Sequence, residues 1–314
     1  MRKNPWVIFG ILVFAFSTLL IFLIGSSAIS LFGESPVKVT AKNSVLLIDL
    51  EGVIMDGKKF IKQLKKYSDN PRVKAIVINI NSPGGVVGPS QEINEEIKRV
   101  RQELKKPVVA VSIGMAASGA YYAAVAADKF VVAPGSMIGS IGVIMEFANL
   151  EKLYDWAKIQ RYSITTGKYK DSGAEYRSMR EDERALFQDM INDVYEQFVK
   201  AVEDGRGLKT DVVKAYADGR VFTGRKAVEL GFADQVGTIA SAVKLAASMA
   251  HIEKDYEVFE PPKHKPGILD ILGQGDEDIE GKSSVAAGVT RWMDKTLRTQ
   301  LLNKPLYIMP GAFE

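Results

Sequence analysis

The chain has 314 residues, 46% hydrophobic and 25% charged, a composition that can fill the core of one large globular domain. Its net charge of +3 is too small to indicate a nucleic-acid partner, and we expect none. The chain contains no cysteine, which excludes disulfides, thiolate metal sites and a cysteine nucleophile. No spacing typical of metal ligands is evident, so we expect neither a metal ion nor another cofactor.

An uncharged apolar run, residues 6–24, follows two positive charges at the start of the chain. As a helix this run would span about 28 Å, close to the ~30 Å hydrocarbon core of a bilayer. Residues 1–33 are therefore predicted to form a membrane anchor, followed by a linker at residues 34–43. The leading charges favour a cytoplasmic N-terminus, with the rest of the chain on the outer side of the cytoplasmic membrane. A cleaved signal peptide ending near residues 25–28 is the alternative.

Strand and helix patterns alternate from residue 44 onward. Strands are predicted at residues 45–50, 73–80, 108–111, 129–133 and 161–166. Helices are predicted at residues 58–67, 90–104, 118–127, 149–158, 181–202, 211–217, 225–230 and 239–249, with Ser90 as a cap. Such alternation predicts a mainly parallel sheet with crossover helices.

The composition changes beyond residue 260. Prolines, glycines and acidic residues predict a linker, and apolar residues at helical spacing predict an amphipathic helix at 285–301. We therefore treat residues 44–260 as the main domain and residues 261–314 as a C-terminal linker, amphipathic helix and tail.

Ser118, which stands among very small residues, is the first candidate for chemistry. It lies between a predicted strand and a predicted helix in the stretch MAASGAYY, residues 115–122. Small neighbours let a substrate backbone approach the hydroxyl, so Ser118 is a candidate nucleophile. The backbone N–H of Gly119 is a candidate donor to an oxyanion. Taken alone, the stretch also fits a tightly packed helix start without a catalytic role.

The stretch NSPGG, residues 81–85, follows a buried predicted strand and is the second candidate. Adjacent glycines let the backbone turn sharply and present N–H groups to a ligand. Acyl chemistry needs such donors about 2.7–3.1 Å from the developing negative oxygen. Gly84 and Gly119 together are therefore expected to form an oxyanion hole, although the stretch by itself also suits a plain turn.

A serine hydroxyl needs a base to become nucleophilic. His251 follows the last predicted core helix and His264 lies in a proline-rich segment, so neither histidine is well placed. A lysine can serve if burial lowers its pKa from ~10.4 toward ~7–8. The stretch TGKYKD, residues 166–171, offers Lys168 and Lys170, and chemistry alone does not choose between them.

A glycine-rich patch at residues 135–143 contains Ser136 and Ser140. A serine hydroxyl in this patch could hold a neutral lysine in place. The alternative is a glycine-rich loop with no further role.

These stretches occur together and in order, and the set resembles the signal peptide peptidase A family. The matching pieces are NSPGG at 81–85, AASGAYY at 116–122, IGSIG at 138–142, YKD at 169–171 and DGRVFTG at 218–224. The resemblance covers roughly residues 44–250, together with the N-terminal anchor. Each motif occurs once, which indicates the short form of the family rather than the duplicated long form.

By this resemblance Ser118 matches the nucleophile, Lys170 the general base and Ser140 the serine that orients the lysine. Gly84 and Gly119 match the oxyanion positions. The implied fold is an α/β Clp protease/crotonase-like spiral of strand–helix units, preceded by one transmembrane helix. The implied activity is that of a membrane-anchored serine endopeptidase with a Ser/Lys dyad, which degrades remnant signal peptides and other apolar peptides.

The resemblance also implies a ring-like homo-oligomer with its sites facing an internal chamber. Whether Ser118 and Lys170 pair within one subunit or across two stays open. The amphipathic helix could pack on a neighbour, and residues 307–311 could lie in a substrate groove.

Three other functions are compatible with parts of this pattern. One is a crotonase-type acyl-CoA enzyme, which the fold allows. The second is a related peptidase that partners a stomatin-like membrane protein. The third is a catalytically silent membrane scaffold that only binds peptides.

Overall fold

The computed structural model describes residue 39, residues 41–262 and residues 305–308. The predicted anchor (1–33), most of the linker (34–43) and the predicted helix at 285–301 lie outside these residues. Among the residues described, no helix is long and apolar enough to cross a membrane.

Strands and helices alternate along the described chain. The strands are β1 (Ser44–Glu51), β2 (Val73–Asn81), β3 (Gly84–Val86), β4 (Val108–Ser112), β5 (Met115–Ala117), β6 (Lys129–Val132), β7 (Met137–Gly139), β8 (Val221–Thr223), β9 (Gln235–Val236), β10 (Glu257–Phe259) and β11 (Leu306–Ile308). The helices are α1 (Lys58–Ser68), α2 (Val87–Gln102), α3 (Gly119–Ala124), α4 (Glu151–Trp156), α5 (Glu181–Arg206), α6 (Thr210–Lys214), α7 (Gly224–Glu229) and α8 (Ile239–Met249).

Six strands form one parallel sheet in the order β10-β1-β2-β4-β6-β9. Its central strands are nearly continuous apolar runs because helices cover both faces. On one face Ile78 shares a buried cluster with Leu64 of α1 and Ile97 of α2. On the other face Val77 packs in a cluster with Ala246 of α8. The predicted α/β fold with a parallel sheet is confirmed.

A second layer of short strands follows the carboxyl ends of the main strands. β3 follows β2, β5 follows β4 and β7 follows β6, and a helix comes directly after β3 and β5. β5 pairs with β7 in parallel, and β7 pairs with β8 in antiparallel orientation. This repeated unit of long strand, short strand and helix is consistent with the expected spiral, and it gathers the short strands on one side of the sheet.

Most predicted elements are confirmed within a few residues, and the helix predicted at 239–249 coincides with α8. The strand predicted at 161–166 is wrong. This segment has no regular structure, and Tyr162 and Ile164 are 79% and 94% exposed. An alternating pattern yields a strand only where a neighbouring strand satisfies its backbone, and the described chain offers none here.

Two details of the NSPGG region also differ from expectation. The predicted turn contains a short strand, β3, whose backbone pairs with β11. The next helix, α2, begins at Val87, so Ser90 is not its cap. The Ser90 hydroxyl instead donates to the carbonyl of Val86 at 2.8 Å.

Candidate active site

Ser118 forms the turn between β5 and α3. Its φ of +53° and ψ of −119° are a combination that residues with a side chain rarely adopt, at a cost of about 1–3 kcal/mol. The Ser118 N–H donates to the carbonyl of Gly139 at 2.7 Å, and the Ser118 carbonyl accepts from the N–H of Tyr122 at 2.9 Å. These two bonds hold the strained turn, a strand–serine–helix geometry that suits a nucleophile.

The hydroxyl of Ser118 is buried without a partner. The residue is 1% exposed, and its Oγ makes no hydrogen bond within the described chain. Buried hydroxyls are normally bonded, and an unpaired one costs about 1–3 kcal/mol. Strain and an unpaired hydroxyl at one residue are together typical of a functional site rather than of a packed helix start.

Gly84 lies against the turn that carries Ser118. Its φ is +96°, and a Cβ added there would lie 2.6 Å from the Gly119 nitrogen and would overlap the carbonyl oxygen of Tyr307. Gly119 is restricted by packing alone, because a Cβ on it would overlap the Ser90 hydroxyl and lie 3.0 Å from the Tyr307 carbonyl oxygen. The two glycines predicted from the sequence are therefore brought together, and both need the absence of a side chain.

The neighbouring Gly85 supplies a backbone donor that the sequence analysis did not single out. The Gly84 N–H donates to the Ser82 hydroxyl at 3.1 Å. The Gly84 carbonyl and the Val86 N–H bond to Ile54, so the N–H and C=O of Gly85 face the opposite edge, where Tyr307 pairs with it. The sequence signal for this donor is the pair of adjacent glycines, Gly84 and Gly85. Only the backbone hydrogen bonding of β3 shows which of the two has its N–H directed at the groove.

Ser140 occupies the position equivalent to Ser118 on the next strand. β5 and β7 are in register with Ala117 opposite Gly139, so the two serines follow paired strand ends. Ser140 is buried, has a φ of +52° and donates its N–H to the Arg220 carbonyl at 2.8 Å. The structure therefore brings Ser140 beside the Ser118 turn, while its expected role of orienting Lys170 stays a prediction.

The two candidate lysines lie on an exposed turn, and neither is bonded to Ser118. Lys168 forms an ion pair with Asp182 at 2.7 Å. That bond raises the pKa of Lys168, the wrong direction for a base that must lose its proton. Lys170 makes no side-chain hydrogen bond or ion pair within the described residues. A pairing of Lys170 with Ser118 within one described chain is thus absent, and a pairing across two chains stays a prediction.

A groove beside Ser118 holds part of the chain's own C-terminal segment. β11 pairs antiparallel with β3, with Tyr307 opposite Gly85. On its other edge Leu306 exchanges two backbone hydrogen bonds with Ile144, at 2.9 and 3.1 Å. The segment is thus bonded along both edges, as an extended peptide bound between two strands would be. Residues 307 and 308 thus lie in a groove, and that this is the substrate groove expected for residues 307–311 stays a prediction. Residues 309–311 lie outside the described chain.

The side chain of Tyr307 fills an aromatic pocket next to the groove. Tyr307 is fully buried, stacks on Tyr122 with centroids 5.2 Å apart and contacts Phe198 at 4.6 Å. Its hydroxyl donates to the carbonyl of Val194 at 2.9 Å. The pocket therefore accepts a large aromatic side chain and also bonds its polar end.

An open cleft of about 470 Å³ lies next to the end of β11. Its lining includes Ser140 and Ile144 on one side and residues of α5, among them Asn192, on the other. Ile308 also borders it. The cleft gives access to the Ser140 side of the site from outside the chain.

Comparisons with known proteins point to one family. The model of Peptidase family S49 matches residues 100–253, and that of Clp protease matches residues 41–138. The chain is similar to a putative protease of Synechocystis sp., with 33% identity over 280 residues, 87% of this chain and 98% of the relative. It is similar to a putative protease of Methanocaldococcus jannaschii, with 32% identity over 82% of this chain and 86% of the relative. A putative signal peptide peptidase SppA of Enterococcus faecium is 34% identical over 57% of this chain and 52% of the relative.

Gly84→Ala is expected to displace β11 from the groove. The added Cβ would overlap the Tyr307 carbonyl, and the φ of +96° strains any residue with a side chain. Hydrogen exchange at the amides of residues 306–308, followed by mass spectrometry, should accelerate by about tenfold or more. Gly88→Ala in the first turn of α2 is the matched control, because a Cβ there meets nothing within 4 Å. Equal exchange in both variants would contradict the close approach at Gly84.

Proposed function

Since the chain belongs to peptidase family S49, the family of signal peptide peptidase A, and is a serine peptidase, we propose that Ser118 is its nucleophile and Lys170 its general base. The match of residues 41–138 to the Clp protease model and the parallel sheet of this chain agree with a Clp protease-like architecture. Peptides are its substrates, as for the proteases it resembles.

The observation that carries this proposal is the binding of β11. An extended segment lies in the groove with hydrogen bonds on both edges, and its Tyr307 carbonyl is beside the glycines next to Ser118. A substrate peptide in the same position would present a carbonyl to the same N–H groups. The groove therefore supports cleavage of an extended peptide, with a pocket for an aromatic side chain formed by Tyr122 and Phe198.

In the proposed reaction, neutral Lys170 takes the proton of the Ser118 hydroxyl, and Oγ attacks the scissile carbonyl. The oxyanion is stabilised by the N–H groups of Gly119 and Gly85, since the N–H of Gly84, the glycine expected from the sequence, already donates to Ser82. Lys170 then protonates the leaving amine, and the acyl group remains on Ser118. Finally Lys170 activates a water molecule, which releases the acyl group. Ser140 is proposed to hold the amine of Lys170 in place.

We propose that Lys170 reaches Ser118 of a neighbouring copy in a ring-like homo-oligomer. Lys170 is exposed within the single chain, while the Ser118 hydroxyl is buried and unpaired. The segment that carries Lys170 also exposes large apolar side chains, including those of Trp156, Ile159 and Ile164. Such a concentration of exposed apolar side chains is typical of a protein interface. The open cleft beside Ser140 offers a route for an entering lysine.

The proposed setting is the outer side of the cytoplasmic membrane. The apolar run at residues 6–24 supports a retained single-pass anchor with a cytoplasmic N-terminus. An anchor would hold the groove at the bilayer, where remnant signal peptides and other apolar peptides concentrate. The buried aromatic pocket suits such substrates.

The alternatives differ in how much support they retain. Because the chain belongs to a peptidase family, the acyl-CoA enzyme is no longer supported as an alternative. A catalytically silent scaffold is inconsistent with a serine peptidase. The peptidase that partners a stomatin-like membrane protein has a similar order of motifs, so it remains an alternative. Co-purification of such a partner with the full chain would favour it.

Ser118→Ala and Lys170→Ala are each expected to lower casein or peptide hydrolysis by about 10³-fold or more, with the oligomer intact. Each removes one of two groups that act only together. Lys168→Ala is the control, because its amine is already bonded to Asp182. If the Lys168→Ala variant were inactive and the Lys170→Ala variant active, the base would be Lys168 and not Lys170. Full activity of Ser118→Ala would exclude it as nucleophile.

Mixing the two inactive variants tests whether the pair forms between subunits. If the proteins are unfolded and refolded together at equal amounts, a site with an intact serine can receive an intact lysine from its neighbour. Random mixing in a ring would restore on the order of one quarter of the wild-type activity. If both groups came from one chain, the mixture would stay as inactive as its components. Size-exclusion chromatography should confirm that mixed oligomers form.

Removal of residues 1–33 is expected to release the protein from membranes. The full chain should sediment with membranes and resist extraction by alkaline carbonate, as a spanning helix does. A protease added to intact spheroplasts should digest the domain at residues 44–260, because that domain is placed outside. Full extraction by carbonate would exclude the anchor, and protection in intact spheroplasts would exclude the orientation.

A further inference from the structure

The turn that carries Lys170 is tied to the start of α5 by a cluster of charged side chains. The Glu183 cluster consists of Glu183, Arg177, Arg180 and Asp171. Glu183 is its centre and has 0% exposure, although it lies in the first turn of an otherwise exposed helix segment. Its carboxylate accepts from both terminal nitrogens of Arg177, at 2.6 and 2.9 Å, and from the backbone N–H of Arg180 at 2.9 Å. The Arg180 guanidinium forms a further ion pair with it at 2.7 Å.

The two arginines bond to the backbone on both sides of Lys170. Arg177 donates to the Asp171 carbonyl at 3.1 Å and to the Asp171 carboxylate at 3.2 Å. Arg180 donates to the Lys168 carbonyl at 2.8 Å. The carbonyl groups two residues before and one residue after Lys170 are therefore fixed, while the Lys170 side chain itself remains exposed.

This arrangement is stronger than surface ion pairing. Exposed ion pairs contribute little to stability, whereas a buried carboxylate that loses a partner is strongly destabilising. The bidentate bond from Arg177 is the first cause that lowers the pKa of Glu183, to about 2. The carboxylate therefore stays charged at any pH at which a neutral lysine can act, and the cluster stays intact.

We propose that Arg177, anchored by Glu183, is a positioning residue for Lys170. This inference rests on the proposed role of Lys170 as base. A base must come within about 2.6–3.2 Å of the hydroxyl, and a displacement of about 1 Å can cost 10²-fold in rate. A long lysine side chain on an exposed turn can meet that limit only if its backbone is fixed. The Glu183 cluster fixes it independently of the sheet that holds Ser118.

Arg177→Lys is the test, because lysine keeps the charge but cannot make the bidentate bond or reach both Asp171 groups. We expect kcat for a peptide to fall about 10- to 100-fold, with KM within about twofold of wild type, because the groove lies elsewhere. The same change in a Lys170→Ala background should cause no further loss, because Arg177 acts only through Lys170. A merely structural role would lower the rate in both backgrounds.

Arg99→Lys is the matched control. Arg99 also bonds a nearly buried carboxylate, that of Glu96, but on α2 and away from the Lys170 turn. We expect a similar fall in melting temperature and unchanged kcat. Asp171→Asn is the second variant, in case Arg177→Lys does not fold, and it should lower kcat in the same way.

The outcomes separate this inference from the proposed function. If Lys170→Ala is inactive while folded Arg177→Lys and Asp171→Asn retain wild-type kcat, the positioning role is wrong and the base assignment stands. If Lys170→Ala is itself fully active, the base assignment fails and the positioning role fails with it. A loss of kcat in Arg177→Lys that is repeated in full in the Lys170→Ala background would also overturn the inference.

Discussion

The pairing of β5 with β7 is the constraint on which the serine side of the site depends. The backbone of Ser118 is strained, and the bond from its N–H to the Gly139 carbonyl is available only because the two strands are in register. The same pairing places Ser140 beside it. Behind both strands lies a sheet buried on two faces, which gives the packing free energy that can hold a turn costing about 1–3 kcal/mol. The strained turn and its buried hydroxyl are thus a consequence of the fold rather than of local sequence preference.

The groove also requires that the backbones of β11 and β3 approach closely. This requirement explains why glycines line the groove. β11 can lie against β3 because neither Gly84 nor Gly119 has a Cβ where the Tyr307 carbonyl passes. Side-chain recognition is then left to the pocket of Tyr122 and Phe198, which lie on two different helices. Backbone bonds along both edges of the groove fix the peptide's direction and register. Under the proposed function, the pocket would add selectivity for an aromatic side chain.

The sequence predicts those parts of this structure that rest on local pattern. Apolar runs locate the main strands, and small residues around Ser118 and the doubled glycine locate the candidate site. The sequence does not show that the N–H of Gly85, rather than that of Gly84, faces the groove, because this depends on which edge of β3 faces Ile54. It misplaces a strand at 161–166, because alternation alone does not provide a neighbouring strand. The Glu183 cluster is equally hidden, since Arg177 and Glu183 are ordinary charged residues until the turn and α5 bring them together.

The serine and the lysine are held by different kinds of interaction, and this difference has a physical reason under the proposed mechanism. Lowering a lysine pKa by about 3 units disfavours its charged form by roughly 4 kcal/mol, a large part of a domain's stability. A monomer that buried Lys170 beside Ser118 would carry that cost while folding. If the lysine is buried only when a second copy docks, interface burial offsets the cost, and the folded monomer keeps an exposed Lys170. Under the same proposal, the Glu183 cluster holds the turn before docking, through the bonds that Arg177 and Arg180 make to the carboxylate and to the turn backbone.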